Sequence, residues 1–403
     1  MENLIVDNSI FKISNYHNNE FYGIYIDVNH RLSTGNMCYL QSKNQMIFCI
    51  NNYKDTSDIA SHLDELEKYK DNFCYMKMDI ENLQTICYCE SEGVPYDLFE
   101  GPNDEIWCVI AYTKTSLNRV VCLPIGDRND IDNCKQMVSV AEHIFMDGDK
   151  VLSYTDGTFN KKPTKFGIYK FSKNKQFQSV KRVKIDEPLV YTCLYNEEGI
   201  HAFSTIDDNV TLHRLLDDKG VVIKEREVYV EGMFLDAFFD KNSPVINWRN
   251  HESIEVGQNG GRIYHINNPG EVFYAVCETD GKQIEEKKLF QLTELCSIYG
   301  MHSRKLDNDT YALTFTYGSD DEPIIGGNGW CVVKAGELKE CWLQQRDKKS
   351  YLDSVTGKKI TFDMEDVILR GLNACGNSYS VYFDGTRDNK YRNRAAMIIK
   401  NLS

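Results

Sequence analysis

Apolar and polar residues alternate with a period of two along most of the chain, in short runs closed by Gly, Asn and Asp. Successive side chains of a strand point to opposite faces, so this pattern predicts half-buried strands joined by tight turns. Two hairpins are explicit: SIEVGQNGGRIYHI at 253–266, around Asn259-Gly260, and VFYAVCETDGKQIEEKKLF at 272–290, around Asp280-Gly281. Both dipeptides accept the positive φ that a type I′ turn requires.

One motif is written twice: SYTDGTFNKK at 153–162 and VYFDGTRDNK at 381–390 share a strand, an Asp-Gly-Thr turn and a basic exit. Aligning strand–turn–strand units on this motif gives seven, at 21–40, 106–125, 151–171, 200–216, 244–266, 311–334 and 379–400. Their starts lie about 45 to 85 residues apart, room for four strands each. A four-stranded unit repeated about 4–8 times is the plan of a β-propeller, in which neighbouring blades bury one another's faces. The expectation is an all-β, seven-bladed propeller forming a single domain over residues 1–403. Two consecutive sandwiches are the competing architecture. The Leu4–Val6 run is expected to pair with the last blade and close the ring.

Helical spacing interrupts the alternation in two places. In DTSDIASHLDELEKYKDN at 55–72, Thr56 or Ser57 can cap, and Ile59, Leu63, Leu66 and Tyr69 share one face. This segment is expected to be a short helical insertion. DMEDVILRGL at 363–372 is the second candidate helix.

Composition adds three constraints. Apolar residues at 42%, with 24 Tyr and 19 Phe, fit a folded, strand-rich protein. No signal peptide or long apolar run is evident, and the 14 cysteines show no framework spacing, so a cytoplasmic protein with buried free thiols is expected. A formal net charge of −14 disfavours nucleic acid as a partner. Against that trend, the stretch from Lys161 to Lys184 holds nine Lys or Arg and no acid. It reads either as a strip for an acidic partner or as an outer strand whose lysines block edge pairing.

If the units are blades, their central turns gather at one mouth of the ring. The residues expected to bind there are Asp156, Thr158, Asp207, Asp208, His251, Glu252, Asp320, Asp321, Asp384 and Arg387. Asp27, Asn29, His30 and Arg31 of the first unit join them. Carboxylates and hydroxyls at a shared mouth suit a protein or a polar ligand such as a glycan, although Asp, Asn and Gly also serve the geometry of turns.

Signatures of chemistry are sparse. Cys87-Tyr-Cys89 lacks the two further ligands of a zinc site. GQNGG at 257–261 and GGNGW at 326–330 lack the Gly-Lys-Ser/Thr ending of a phosphate loop and read as hairpin turns. No metal and no cofactor are expected, and no membrane association. The primary reading is a non-catalytic binding or scaffold propeller. The alternative is a carbohydrate-active enzyme, hydrolase or lyase, using Asp156, Asp320 or Asp384 in the same mouth.

Overall fold

In the computed structural model the chain is a β-propeller made of consecutive antiparallel sheets, with no helix among the described residues. The structure describes the strands and the short connections at 197–198, 219–221, 335–336, 345–349, 354–358 and 362–364, with a few single positions beside them. Among these residues there are seven sheets of four or six strands and one separate hairpin. The first sheet runs from Ser33–Leu40 to Thr85–Ser91, the second from Val94–Glu100 to Gln136–Ser139, and the third from His143–Asp147 to Phe177–Ile185. The fourth spans Thr192–Asn196 to Val222–Tyr229 and the fifth Met233–Asp240 to Gln283–Gln291. The sixth begins at Ser297–Asp307 and continues past Glu337–Gln344 into two extra outer strands, Ser350–Asp353 and Lys359–Thr361.

The last sheet closes the ring. Its strands Glu365–Cys375, Ser378–Thr386 and Arg394–Asn401 are joined by Tyr22–Val28 from the start of the chain, with Gly23 opposite Ile398 and Tyr25 opposite Ala396. Phe11–His17 and Ile5–Asp7 extend this sheet outward. The apolar run at the N-terminus therefore lies in the closing sheet, but two strands further out than expected. Tyr22–Val28 makes the closure because its own alternation supplies apolar residues to both faces: Ile24 and Ile26 pack with Met37 and Phe48 of the first sheet, and Tyr25 packs towards the sixth.

The first strand of each sheet lies innermost. It touches the first strand of the next sheet at six of the seven junctions, and outer strands meet at the remaining one, between the second and third sheets. Side chains reinforce three inner junctions. Asp236 of the fifth sheet accepts from the Ser303 amide of the sixth at 2.5 Å, and Ser303 Oγ donates to the Ala237 carbonyl at 2.9 Å. Arg304 donates to Asn373 of the closing sheet, whose Nδ2 donates to the Met37 carbonyl of the first at 3.4 Å. Burial raises the Asp236 carboxyl pKa, against the opposing pull of His302 and its hydrogen bonds. Asp236→Ala leaves the Ser303 amide without its acceptor, so a loss of about 1–3 kcal/mol is expected in urea unfolding.

Aromatic rings fill the wedges between sheets. Phe238 meets Tyr311 at 4.6 Å and Phe290 meets Phe315 at 4.9 Å between the fifth and sixth sheets. Trp330 and Tyr351 reach Phe383 at 5.6 and 5.3 Å between the sixth and the closing sheet. Such pairs prefer offset or edge contacts and add to the burial of their area.

Two local expectations are corrected. The segment 363–372 is not a helix, because Glu365–Cys375 is an innermost strand paired with Ser378–Thr386. Its pairing shifts register between Glu365 and Ile368 and again between Leu369 and Gly371. Each bulge inserts a residue and breaks strict alternation, which leaves apolar positions at helix-like spacing. GGNGW is not a turn, because it opens the strand Gly326–Lys334. A Cβ on Gly329 would come within 2.5 Å of the Trp342 carbonyl oxygen, so glycine permits close strand packing there.

The segment 55–72 lies outside the described residues. The Asn259-Gly260 region joins Ser253–Val256 to Arg262–His265 in a hairpin, and the Asp280-Gly281 region joins the paired strands ending at Cys277 and starting at Gln283. Cys87 and Cys89 lie on Thr85–Ser91, and Cys38, Cys193, Cys296, Cys331 and Cys341 are buried thiols outside any disulfide. Five of the nine basic residues of 161–184 lie on the third and outermost strands of the third sheet, Thr164–Phe171 and Phe177–Ile185, and the other four lie outside the described residues.

Candidate functional site

Six of the seven aligned turns connect the second and third strands of a sheet: 112–117, 155–164, 207–210, 249–271, 318–326 and 386–394. The seventh, 28–33, joins the outer strand Tyr22–Val28 of the closing sheet to the inner strand of the first. In an antiparallel meander both kinds of connection leave from the end at which the innermost strand begins. The candidate face is that end.

Most of the expected site residues fall in these connections outside the described residues: Asp156, Thr158, Asp208, His251, Glu252, Asp320, Asp321 and Arg387. Asp207 ends the second strand of the fourth sheet, opposite Val210. Besides Asp27, Asp384 is the one whose side chain is described. It lies near the end of the second strand of the closing sheet, opposite Ala395 on one side and Ile368 on the other.

The repeated Asp-Gly-Thr motif is thus not a turn in its second copy. Residues 384–386 finish the strand Ser378–Thr386, and the first copy follows directly on Lys150–Thr155, also the second strand of its sheet. The glycine has a steric role, because a Cβ on Gly385 would lie 2.8 Å from the Glu365 carbonyl oxygen.

Asp384 is buried, and its Oδ2 accepts from Arg370 Nε at 2.7 Å. Arg370 comes from the innermost strand and its side chain is 45% exposed. The bulge between Leu369 and Gly371 brings Arg370 within reach of the neighbouring strand. A buried carboxylate holding an exposed guanidinium offers the solvent a positioned cation at this end. Helical spacing over 363–372 hides Arg370 in the sequence, because a helix would not set it beside Asp384. Read as a strand, it lies diagonally across from Asp384.

A second charged cluster sits at the same end, on the outer strands of the closing sheet. Arg394 is almost fully buried, with Nε 3.1 Å from Asp27 Oδ1 and Nη1 2.9 Å from Asp363 Oδ2. Its guanidinium also lies 4.4 Å from the centroid of the Tyr25 ring, and the Tyr25 hydroxyl accepts from the Asp363 amide at 2.9 Å. One cation thus joins Tyr22–Val28, Arg394–Asn401 and the segment leading into Glu365. This cluster reads as a fastening of the ring closure, since its cation is enclosed by its own partners.

Among the described residues no group of three or more His, Cys, Asp or Glu is placed to hold a metal ion. No helix among them is long and apolar enough to cross a membrane.

No protein-family model matches the chain, and no curated protein sequence matches it. Solved structures with a similar course include Sqt1 from Chaetomium thermophilum, at 9% identity and TM-score 0.48, covering 93% of this chain and 96% of that one. The WD40 domain of Toxoplasma gondii coronin follows at 8% identity and TM-score 0.46, with 99% and 88% covered. BamB from Moraxella catarrhalis is similar at 9% identity and TM-score 0.45, with 93% and 98% covered. Likenesses this distant carry no argument about activity or partners, and the strand pairing itself describes the ring.

Proposed function

We propose that the chain is a single propeller domain over residues 1–403, with its seven sheets as seven blades, that works in the cytosol by binding a protein or a polar ligand across its loop-bearing end. The observation that supports this reading is the Arg370–Asp384 pair. Asp384 is already engaged as an ion-pair acceptor, which suits it to presenting Arg370 for recognition rather than to acting as a proton donor. The acidic connections around it then set the character of the mouth, and the net charge of −14 turns phosphate backbones away.

The test is a triple substitution, Asp156→Asn, Asp320→Asn and Asp384→Asn, compared with the unchanged chain in quantitative capture from a cell lysate and in a glycan turnover panel. Loss of the captured partners with no turnover in either form is expected. Capture that is unchanged by the triple substitution overturns the proposed face. Turnover by the unchanged chain that a single carboxylate change abolishes establishes the carbohydrate-active alternative instead.

A further inference from the structure

The outermost strand of the fourth sheet, Val222–Tyr229, is last in its sheet and carries an unusual surface. Among the described residues only six large apolar side chains are exposed, and four of them belong to this strand or its first neighbour: Val221, Val222, Ile223 and Tyr229. The matching edge of the fifth sheet exposes Glu285, Glu286, Lys287 and Lys288 instead. Charged residues on an edge are the usual guard against strand pairing, and Val222–Tyr229 lacks that guard at Val222 and Ile223, before Lys224 and Glu225.

The chain itself fills the same position in two other sheets. Phe11–His17 and Ile5–Asp7 lie outside the fourth strand of the closing sheet, and Ser350–Asp353 and Lys359–Thr361 lie outside that of the sixth. An added strand on this edge is therefore compatible with the architecture.

The charges indicate which strand fits. Arg226 stands opposite His213 and Val228 opposite Thr211, on the face turned towards the core. Glu225, Glu227 and Tyr229 occupy the other face and are exposed. Glu225 pairs with Arg214 at 2.6 Å and Glu227 accepts from the Tyr229 hydroxyl at 2.5 Å, so both carboxylates are held in place at the surface. A strand added antiparallel puts its residues opposite these on the same face, where Lys or Arg at alternate positions complements them. A second copy pairing about a twofold axis does the opposite. That axis runs perpendicular to the sheet and preserves its faces, so registers centred on Lys224 through Glu227 set like charge or acid against itself.

We propose that Val222–Tyr229 is a docking edge for an extended segment of a partner protein, added as an antiparallel strand with basic residues facing Glu225 and Glu227 and apolar residues beside Val222 and Ile223. This is strand addition, in which main-chain hydrogen bonds supply affinity and alternate side chains supply selectivity. The edge reaches the loop-bearing end only at Tyr229, opposite Val210, and its Val222 end points away from it, so the two proposals stand or fall independently.

The probe is a capped synthetic peptide of about eight residues, alternating lysine with valine, a length suited to one strand. Two control peptides carry glutamate in place of lysine or a central proline. Binding is read by fluorescence anisotropy and located by hydrogen exchange on the full chain. The expected result is binding of the lysine peptide with slowed exchange at 222–229, and none with either control. Glu225→Lys with Glu227→Lys is expected to weaken the lysine peptide at least tenfold and to admit the glutamate peptide. Glu227→Lys alone keeps the Arg214–Glu225 pair and is expected to give a smaller loss in the same direction, provided that circular dichroism matches the unchanged chain. Absence of binding, protection elsewhere, indifference to these charge reversals, or self-association that protects 222–229 without peptide would each overturn the proposal.

Discussion

Replacing Glu340 with alanine is expected to destabilise the protein by about 3–5 kcal/mol, the range for breaking a buried, hydrogen-bonded ion pair from one side. Glu340 lies on the fourth strand of the sixth sheet, Glu337–Gln344. Its Oε2 accepts from Trp342 Nε1 at 2.7 Å, from the Tyr379 hydroxyl at 2.9 Å and from Lys400 Nζ at 2.5 Å. Tyr379 and Lys400 belong to the closing sheet, so one carboxylate clamps the last junction of the ring. Lys400 is 12% exposed and also lies 4.9 Å from the Trp342 ring centroid.

Removing the carboxylate strands the ammonium and two further donors in a largely dry site, whereas Glu340→Gln keeps an acceptor and should lose less. Adding Lys400→Met to Glu340→Met should recover much of the loss, because the paired deletion leaves no charge unmatched. Urea unfolding with unchanged slope measures all three variants. A loss below about 1 kcal/mol for Glu340→Ala would show that water already screens the cluster.

The second large effect is acid sensitivity at the junction of the fourth and fifth sheets. His201 Nδ1 lies 3.0 Å from His213 Nε2, and His201 Nε2 lies 3.2 Å from Asn196 Oδ1. The acceptor on Asn196 places a proton on His201 Nε2, which makes His201 Nδ1 the acceptor of a proton from His213 Nε2. The rings stack, His213 on Phe203 at 4.6 Å, and the edge of His201 meets Phe239 of the fifth sheet. Burial first, and then the Arg226 guanidinium, lower His201 to about 4. Burial, Arg226 and then His201 lower His213 to about 2. Glu198, 4.0 Å from His201 Nε2, is the one acid facing the pair among the described residues, and it is half exposed.

Both rings are therefore neutral in the folded chain. An unfolded histidine takes up its proton near about 6.5. Below that pH the unfolded state binds protons that the fold refuses, so stability present above about pH 6.5 is lost as the pH falls. The loss from His201 runs down to about 4 and that from His213 to about 2. Each ring contributes up to about 1.4 kcal/mol per pH unit within its window. Melting temperatures should fall between pH 6.5 and 4.5, and the variant His201→Gln with His213→Gln should show a shallower fall. An equal slope in both chains would place the acid sensitivity elsewhere.

Period-two alternation, aligned on the repeated Asp-Gly-Thr motif, determined the strand content and the repeat of strand–turn–strand units, because side-chain direction in a strand is a local property that sequence writes directly. It failed where the ladder is irregular. The two bulges in Glu365–Cys375 broke the alternation and suggested a helix, which in turn hid Arg370 beside Asp384. Glycines of GGNGW resemble turn residues until the packing of Phe315 and the Trp342 backbone against them is known. Which strand closes the ring, which carboxylates are engaged and which edge is left open are contacts between residues up to hundreds of positions apart, as between Asn373 and Met37. Sequence fixes the faces of each strand, but only the arrangement of sheets around the ring decides what those faces meet, because the burial that selects partners exists only once neighbouring sheets are packed.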